Sequence, residues 1–309
     1  MTFETWAKEL LCRELKSPGT VHYVRKPRNF QGWYCATPYG FLLHVEAAKE
    51  SVGYFGINCE IMPLVGRITE AREDLPYIPP VSMGLMMSAT SDYAARSGFP
   101  FRSEISFLKT KSIGESKTEE LVVEMIHNYL NPLFASLTSY ESYCKSAIEA
   151  MLIPMVQSEA KRKALAEGLF HRTPGVEFFP PFYDQSELPS GYSWFTRRIN
   201  QMPYVYAALG KFEEALTEIR VRRQARMESV EFNYSIGTYA NREDEYLAEK
   251  QRIENKDHEI EVAMEEKNVA RIQEILSENY QRNRQLIYER IGLEIPDEYK
   301  PVDGLCEPG

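Results

Sequence analysis

Five histidines, His22, His44, His127, His171 and His258, are the side chains of this sequence that exchange a proton near neutral pH. No two stand at His-x-x-x-His spacing and none sits in His-Glu-x-x-His. The five cysteines, Cys12, Cys35, Cys59, Cys144 and Cys306, form no Cys-x-x-Cys pair. No metal site and no cofactor is therefore expected. For acid–base chemistry the remaining candidates are His22 or His44 acting with Glu46 or Glu60, because these four fall on segments that read as strands of one sheet. The alternative is that His22 and His44 are simply polar-face or half-buried strand residues.

Nucleophile and phosphate patterns are unspecific. Ser-x-x-Lys occurs at Ser106–Lys109, Ser142–Lys145 and Ser158–Lys161, without the Ser-Asp-Asn and Lys-Thr-Gly companions that would give it meaning, and there is no Gly-x-Ser-x-Gly elbow. Gly53-Tyr54-Phe55-Gly56 lacks both the third glycine and the Lys-Ser/Thr ending of a phosphate cradle, and glycine within a strand more often marks a bulge. The basic run Arg220, Arg222, Arg223 and Arg226 is the candidate anion- or partner-binding set, since three of the four share a helix face. The competing reading pairs these cations with Glu213, Glu214, Glu218 and the acidic C-terminal helices.

The elements that would carry these residues follow from periodicity. Phe3, Trp6, Leu10, Leu11 and Leu15 recur at helical spacing, and Pro18-Gly19 ends that helix. The period then changes to two. Val21–Arg25, Trp33–Thr37, Phe41–Glu46 and Tyr54–Ile61 read as four strands with short turns, which force an antiparallel meander. Residues 63–115 are broken by prolines, with room for a short helix and one strand at Arg102–Lys109. Capping-box spacings at Ser116–Glu119 and Thr138–Glu141 predict two helices, and Gln157–Glu167 a third. The fold class is α+β, with flanking helices on the meander sheet and an all-helical C-terminal domain after it. The expected division is an α+β domain at 1–168, a Pro- and aromatic-rich connection at 169–192 and a helical domain at 193–309.

In the second half, Tyr206 to Leu216 resembles the central turn of a tetratricopeptide repeat: Gly210, Phe212 and Ala215 match, while Pro203 and Arg222 depart from the pattern and no copy follows. One hairpin over 204–219 is expected, with Gly210 at positive φ and Phe212 in the core. Residues 241–300 hold sixteen Asp or Glu against ten Lys or Arg. They read as a long solvent-facing helix and a second one folded back near Lys267-Asn268.

Trp6–Leu15, Tyr23-Val24-Arg25-Lys26, Trp33-Tyr34, the strand Gly53–Ile61, and Leu130-Asn131-Pro132-Leu133 followed by Ser139 give the first ~150 residues a likeness. They resemble a bacterial domain-of-unknown-function family, numbered 4304. The resemblance implies one helix, a four-stranded meander and closing helices. It also implies a small binding domain of a kind that recurs among toxin-neutralising immunity proteins, and it brings no catalytic residues.

A net charge of −9 and a pI near 5.3 oppose nucleic acid and anionic lipid. Glu4, Lys8 and Glu9 interrupt any signal-peptide core, and no segment has the ~20 apolar residues of a membrane span. The expected location is the cytoplasm, with reduced thiols. The partner class is another protein, with no nucleic acid and no membrane. The leading expectation is a non-enzymatic protein-binding module of the bacterial cytosol, of the immunity or antitoxin type. The alternatives are an enzyme with a dispersed acid/base site on the N-terminal sheet, and a helical scaffold or regulator acting through the C-terminal hairpin.

Overall fold

The computed structural model describes residues 2–25, 31–51, 54–66, 85–88, 114–145, 201–235 and 242–299, together with Gly237 and Tyr239. The first helix, α1 (Phe3–Glu14), starts where the Thr2 hydroxyl accepts from the Thr5 backbone N–H at 3.2 Å. Its acidic Glu4 and basic Arg13 stand at the ends that favour them. Trp6, Ala7, Leu10 and Leu11 form the buried stripe.

The meander follows: β1 (Thr20–Val24), β2 (Gly32–Ala36), β3 (Phe41–Ser51) and β4 (Tyr54–Pro63). A fifth strand, β5 (Leu85–Ser88), pairs with β4, and the order is β1-β2-β3-β4-β5, antiparallel throughout. The α+β architecture thus appears as expected, with one strand more. The expected strand at Arg102–Lys109 and the helix at Gln157–Glu167 lie outside the described residues, as does the connection at 169–192.

Alternation gives the sheet two apolar faces. Trp33, Cys35, Leu43, Val45, Phe55, Ile57 and Ile61 bury against α1 and the helices after residue 115. Trp6 meets Phe55 edge-on at 5.3 Å, and Trp33 stacks on Phe134 at 6.0 Å. Those helices are α2 (Ser116–Met125) and α3 (Asn131–Ser136), joined by a widened π turn at Ile126–Leu130 in which the Asn131 N–H donates to the Ile126 carbonyl. The Asn131 side chain clasps the end of α1: its amide donates to Glu14 O at 3.0 Å, and its oxygen accepts from Lys16 N at 2.8 Å. A further helical segment covers 140–145, with Tyr140 and Tyr143 against Phe41.

The C-terminal helices are α4 (Met202–Ala208), α5 (Phe212–Ser235), α6 (Glu243–Asn255), α7 (His258–Glu265) and α8 (Val269–Ile291). The α4–α5 turn is a Schellman turn: Lys211 N–H donates to Tyr206 O (2.9 Å) and Gly210 N–H to Ala207 O (3.1 Å). Gly210 has φ +71°, as the sequence predicts, and Phe212 and Ala215 are buried. Residues of α4, α5, α7 and α8 share one buried cluster with α1 and the first sheet face. The second face, with Val24, Tyr34, Ala36, Leu42, Met62 and Leu64, is covered by Ile287 and Ile291 of α8 and by Leu293 and Ile295 beyond it.

Two local expectations shift. The long helix after residue 241 breaks at Lys256-Asp257, where Asp257 takes a left-handed conformation (φ 63°) and its carboxylate turns inward. The caps move by one residue. Glu115, not Ser116, precedes α2, and Ser116 Oγ donates to Glu120 instead. Ser139 with Ser142, not Thr138 with Glu141, makes the reciprocal bonds at the later helix start.

Candidate functional site

Strand register brings the N-terminal candidates onto one face of the sheet. His22 lies opposite Tyr34, Tyr34 opposite His44, and His44 opposite Glu60, so the four form a row across β1 to β4. Glu46 is two residues along from His44, opposite Asn58, whose amide donates to it at 3.2 Å. The His44 ring stacks on Tyr34 with centroids 4.2 Å apart and planes 8° from parallel. Its Nδ1 is 3.9 Å from Glu60 Oε2, and its Nε2 lies 3.3 Å from the Gln31 carbonyl, which can only accept. Gly32 makes room for this: a Cβ there would stand 2.5 Å from His44 Nε2.

The environment is dry. Glu60 is buried and His44 nearly so. Burial, followed by the Glu60 and Glu46 carboxylates, pushes the Tyr34 phenol far above its ordinary range. Both nitrogens of the His44 ring face protein groups, and the neighbouring part of the same sheet face lies under α8 and the segment after it. His22 is the exposed member of the row, at the β1 edge.

The arginine run lies on α5, and three of its members meet carboxylates. Arg220 donates to Glu265 at 2.6 Å on the surface. Arg222 holds Glu218 one turn back through its Nε at 2.7 Å, with both side chains buried. Arg223 forms a two-armed bond to Glu261 of α7, one arm at 3.1 Å. The run thus stitches α5 to α7, with Glu218 as one of the partners expected from sequence. Arg226 packs near Lys256, Arg222 and Arg252, with the Asp257 carboxylate beside them. Burial lowers the Arg226 pKa, and Arg222 adds to that. The Lys256 ammonium is brought down to about 7 by burial first and by Arg226 next. Asp257 accepts from the Tyr204 hydroxyl at 2.7 Å.

Other motif residues have structural duties. Ser142 Oγ donates to Ser139 O (2.8 Å) and accepts from Thr138 N (3.1 Å), which places it in a helix start. Gly56 lies within β4, paired with Ala48. His127 Nε2 reaches Glu14 at 2.8 Å, and Arg13 followed by His127 holds that carboxyl below its usual range. Cys12, Cys35, Cys59 and Cys144 are unbridged, while Cys306 lies outside the described residues. Burial raises the thiols of Cys12, Cys35 and Cys144, the last to about 12, which suppresses thiolate chemistry. Among the described residues no group of three or more His, Cys, Asp or Glu is placed to hold a metal ion. None of their helices is long and apolar enough to cross a membrane.

Two features escaped the sequence reading. Asn279 and Asn283, one turn apart on α8, grip the end of β4: Asn283 donates to Leu64 O and Gly66 O, both at 2.7 Å, and Asn279 to Val65 O at 3.1 Å. Their spacing of four was the available signal. The second is an open groove of about 1040 Å³ between the outer face of α8 and the segment that follows it, bounded by Glu274, Glu278, Tyr288, Glu294 and Asp297. The chain matches no protein-family model, no curated protein and no solved structure.

Proposed function

We propose that the chain is a non-enzymatic protein-binding module of the bacterial cytosol, of the immunity or antitoxin type, and that it engages its partner through the outer surface of the C-terminal helices. One observation carries this reading. Phe232, Tyr234, Leu247 and Tyr288, exposed by 41, 46, 54 and 61%, stand on α5, α6 and α8. They are large apolar side chains set in the most acidic stretch of the sequence or at its edge. Exposed aromatic side chains are enriched in protein interfaces over the rest of the surface. An acidic surface speeds encounter with a basic partner and suits occluding one. The likeness of the first ~150 residues to the family numbered 4304 supports the immunity-type reading.

The enzyme alternative would rest on His44 and Glu60, and the geometry favours it less because both His44 nitrogens are turned to protein groups. The test is affinity purification from the native host at physiological salt, comparing the wild type with a Tyr234→Ser, Leu247→Ser, Tyr288→Ser variant of unchanged melting temperature. A protein recovered with the wild type and depleted about tenfold, or ~1.4 kcal/mol, with the variant is expected. Equal recovery by both, or recovery of no protein by the wild type, overturns the proposal.

A further inference from the structure

The groove beside α8 has a built wall and a surplus of negative charge. After Gly292, at φ +71°, the chain turns back along the helix and Ile295 is buried. Arg284 ties this returning segment down, donating to Ile295 O and to Asp297 at 2.6 Å each. The groove is therefore a walled cleft of about 1040 Å³, at the upper limit of the volumes of ligand clefts and open along its length.

Among the described residues, four carboxylates line the groove, Glu274, Glu278, Glu294 and Asp297, against two guanidiniums, Arg282 and Arg284. Arg271 alone meets Glu259, Glu274 and Glu278, the last only at 3.8 Å. Arg284 is committed to Asp297 and the backbone, and Arg282 is the other guanidinium on the wall. Tyr288 offers an open ring at the same place, 61% exposed. The molecule already shows how such a ring is used: the Arg284 guanidinium lies 5.8 Å from the centre of the Tyr280 ring, one turn nearer the start of α8.

We infer that this groove receives an arginine- or lysine-rich segment of a partner protein, with one cation on the face of Tyr288 and others paired with Glu278 and Glu294. This rests on the protein-binding reading and names the partner's chemistry. The charge of the occupant follows from the wall. A cationic side chain gains Coulomb attraction from the surplus carboxylates and from the net charge of −9, whereas an acidic one is repelled.

The probe is a fluorescent peptide of alternating arginine and leucine, titrated into the full chain by anisotropy. Its counterpart with glutamate in place of arginine is the control. Binding that weakens as salt rises is expected, with a loss of about tenfold in Kd both for Tyr288→Ser and for the Glu278→Lys, Glu294→Lys pair. The pair Glu243→Lys, Asp244→Lys on α6 should leave it unchanged. Equal binding of the glutamate peptide, no binding of the arginine peptide, or an equal loss with the α6 pair each overturns the inference. A host protein that stays bound to the groove variants would leave the protein-binding reading standing and remove only this site. Loss of all host proteins from the wild type would instead strike the reading beneath it.

Discussion

Lys256 shows how a single residue can work against the fold that holds it. Its ammonium sits at the α6–α7 break among Arg222, Arg226 and Arg252, with Asp257 as the opposing charge, and its pKa falls from 10.5 to about 7. Below pH 7 both folded and unfolded chains carry this proton, and the full cost of burying the charge is present. Between about 7 and 10.5 the unfolded chain keeps a proton that the folded chain has released, so this group's contribution to stability rises with pH across that window. Lys256→Met keeps the stem and removes the charge. The variant should melt above wild type near pH 6, with the gap closing towards pH 10, as followed by circular dichroism. A gap that does not change with pH would show that the ammonium is solvated. That His44, Glu46 and Glu60 share one face of the sheet was legible at this scale, because period-two alternation in neighbouring strands of a meander puts such residues on one face; the part of Tyr34 between His22 and His44 came only with the register. Lys256 and Asp257 were not legible. Nothing local in Asn255-Lys256-Asp257 announces that a helix will break there; the inward Asp257 carboxylate and the Tyr204 hydroxyl, 53 residues apart, accompany the break.

The arginines of helix α5 serve the fold where they meet carboxylates of the chain. Arg222 and Glu218 are one turn apart, both under 9% exposed, and joined by a hydrogen-bonded ion pair. Arg222→Leu leaves a buried carboxylate without its partner and should cost about 3–5 kcal/mol in urea unfolding. Glu218→Leu, Arg222→Leu together should recover most of that loss, since a buried pair replaced by apolar residues is often near neutral. If the two single losses simply add in the double variant, the pair is not coupled and Arg222 is held by other contacts. Elements with strong periodicity were readable in advance: α1 from its apolar stripe, the four-strand meander from alternation and short turns, and the α4–α5 turn from Gly210 and Phe212. Strand β5 was not, because Leu85-Met86-Met87-Ser88 has neither β-branched residues nor alternation, and only the free edge of β4 makes it a strand. The caps slipped by one residue because Ser139 and Ser142 satisfy each other across the same start that Thr138 and Glu141 could have used.

At the scale of the molecule, the sheet has no solvent side to spare. One face closes on α1 and the helices after residue 115, and the other closes on α8 and the returning segment. An antiparallel sheet can leave one face wet, but then that face reads as polar. Here Val24, Ala36, Leu42, Met62 and Leu64 make one part of the second face apolar, beside the row of His22, Tyr34, His44 and Glu60, and their cover comes from residues more than two hundred positions later. A fragment of residues 1–168 would leave that face bare. Exposing Val24, Leu42, Met62 and Leu64 at about 1.5–3 kcal/mol each forfeits roughly 6–12 kcal/mol. That is as large as the ~5–15 kcal/mol by which whole domains are stable. The Asn279 and Asn283 bonds to Leu64, Val65 and Gly66 would be lost with it, and three buried carbonyls would lose their donors. The fragment should therefore melt without a cooperative transition and bind a hydrophobic dye. The full chain should show a single transition in which tryptophan fluorescence and helicity are lost together. With Trp194 replaced by phenylalanine, Trp6 and Trp33 report from the sheet core, while α4 to α8 carry most of the described helix, so the two probes watch opposite halves of the sequence. A sharp melt for residues 1–168, or two separated transitions in the full chain, would show that the sheet stands without its C-terminal cover.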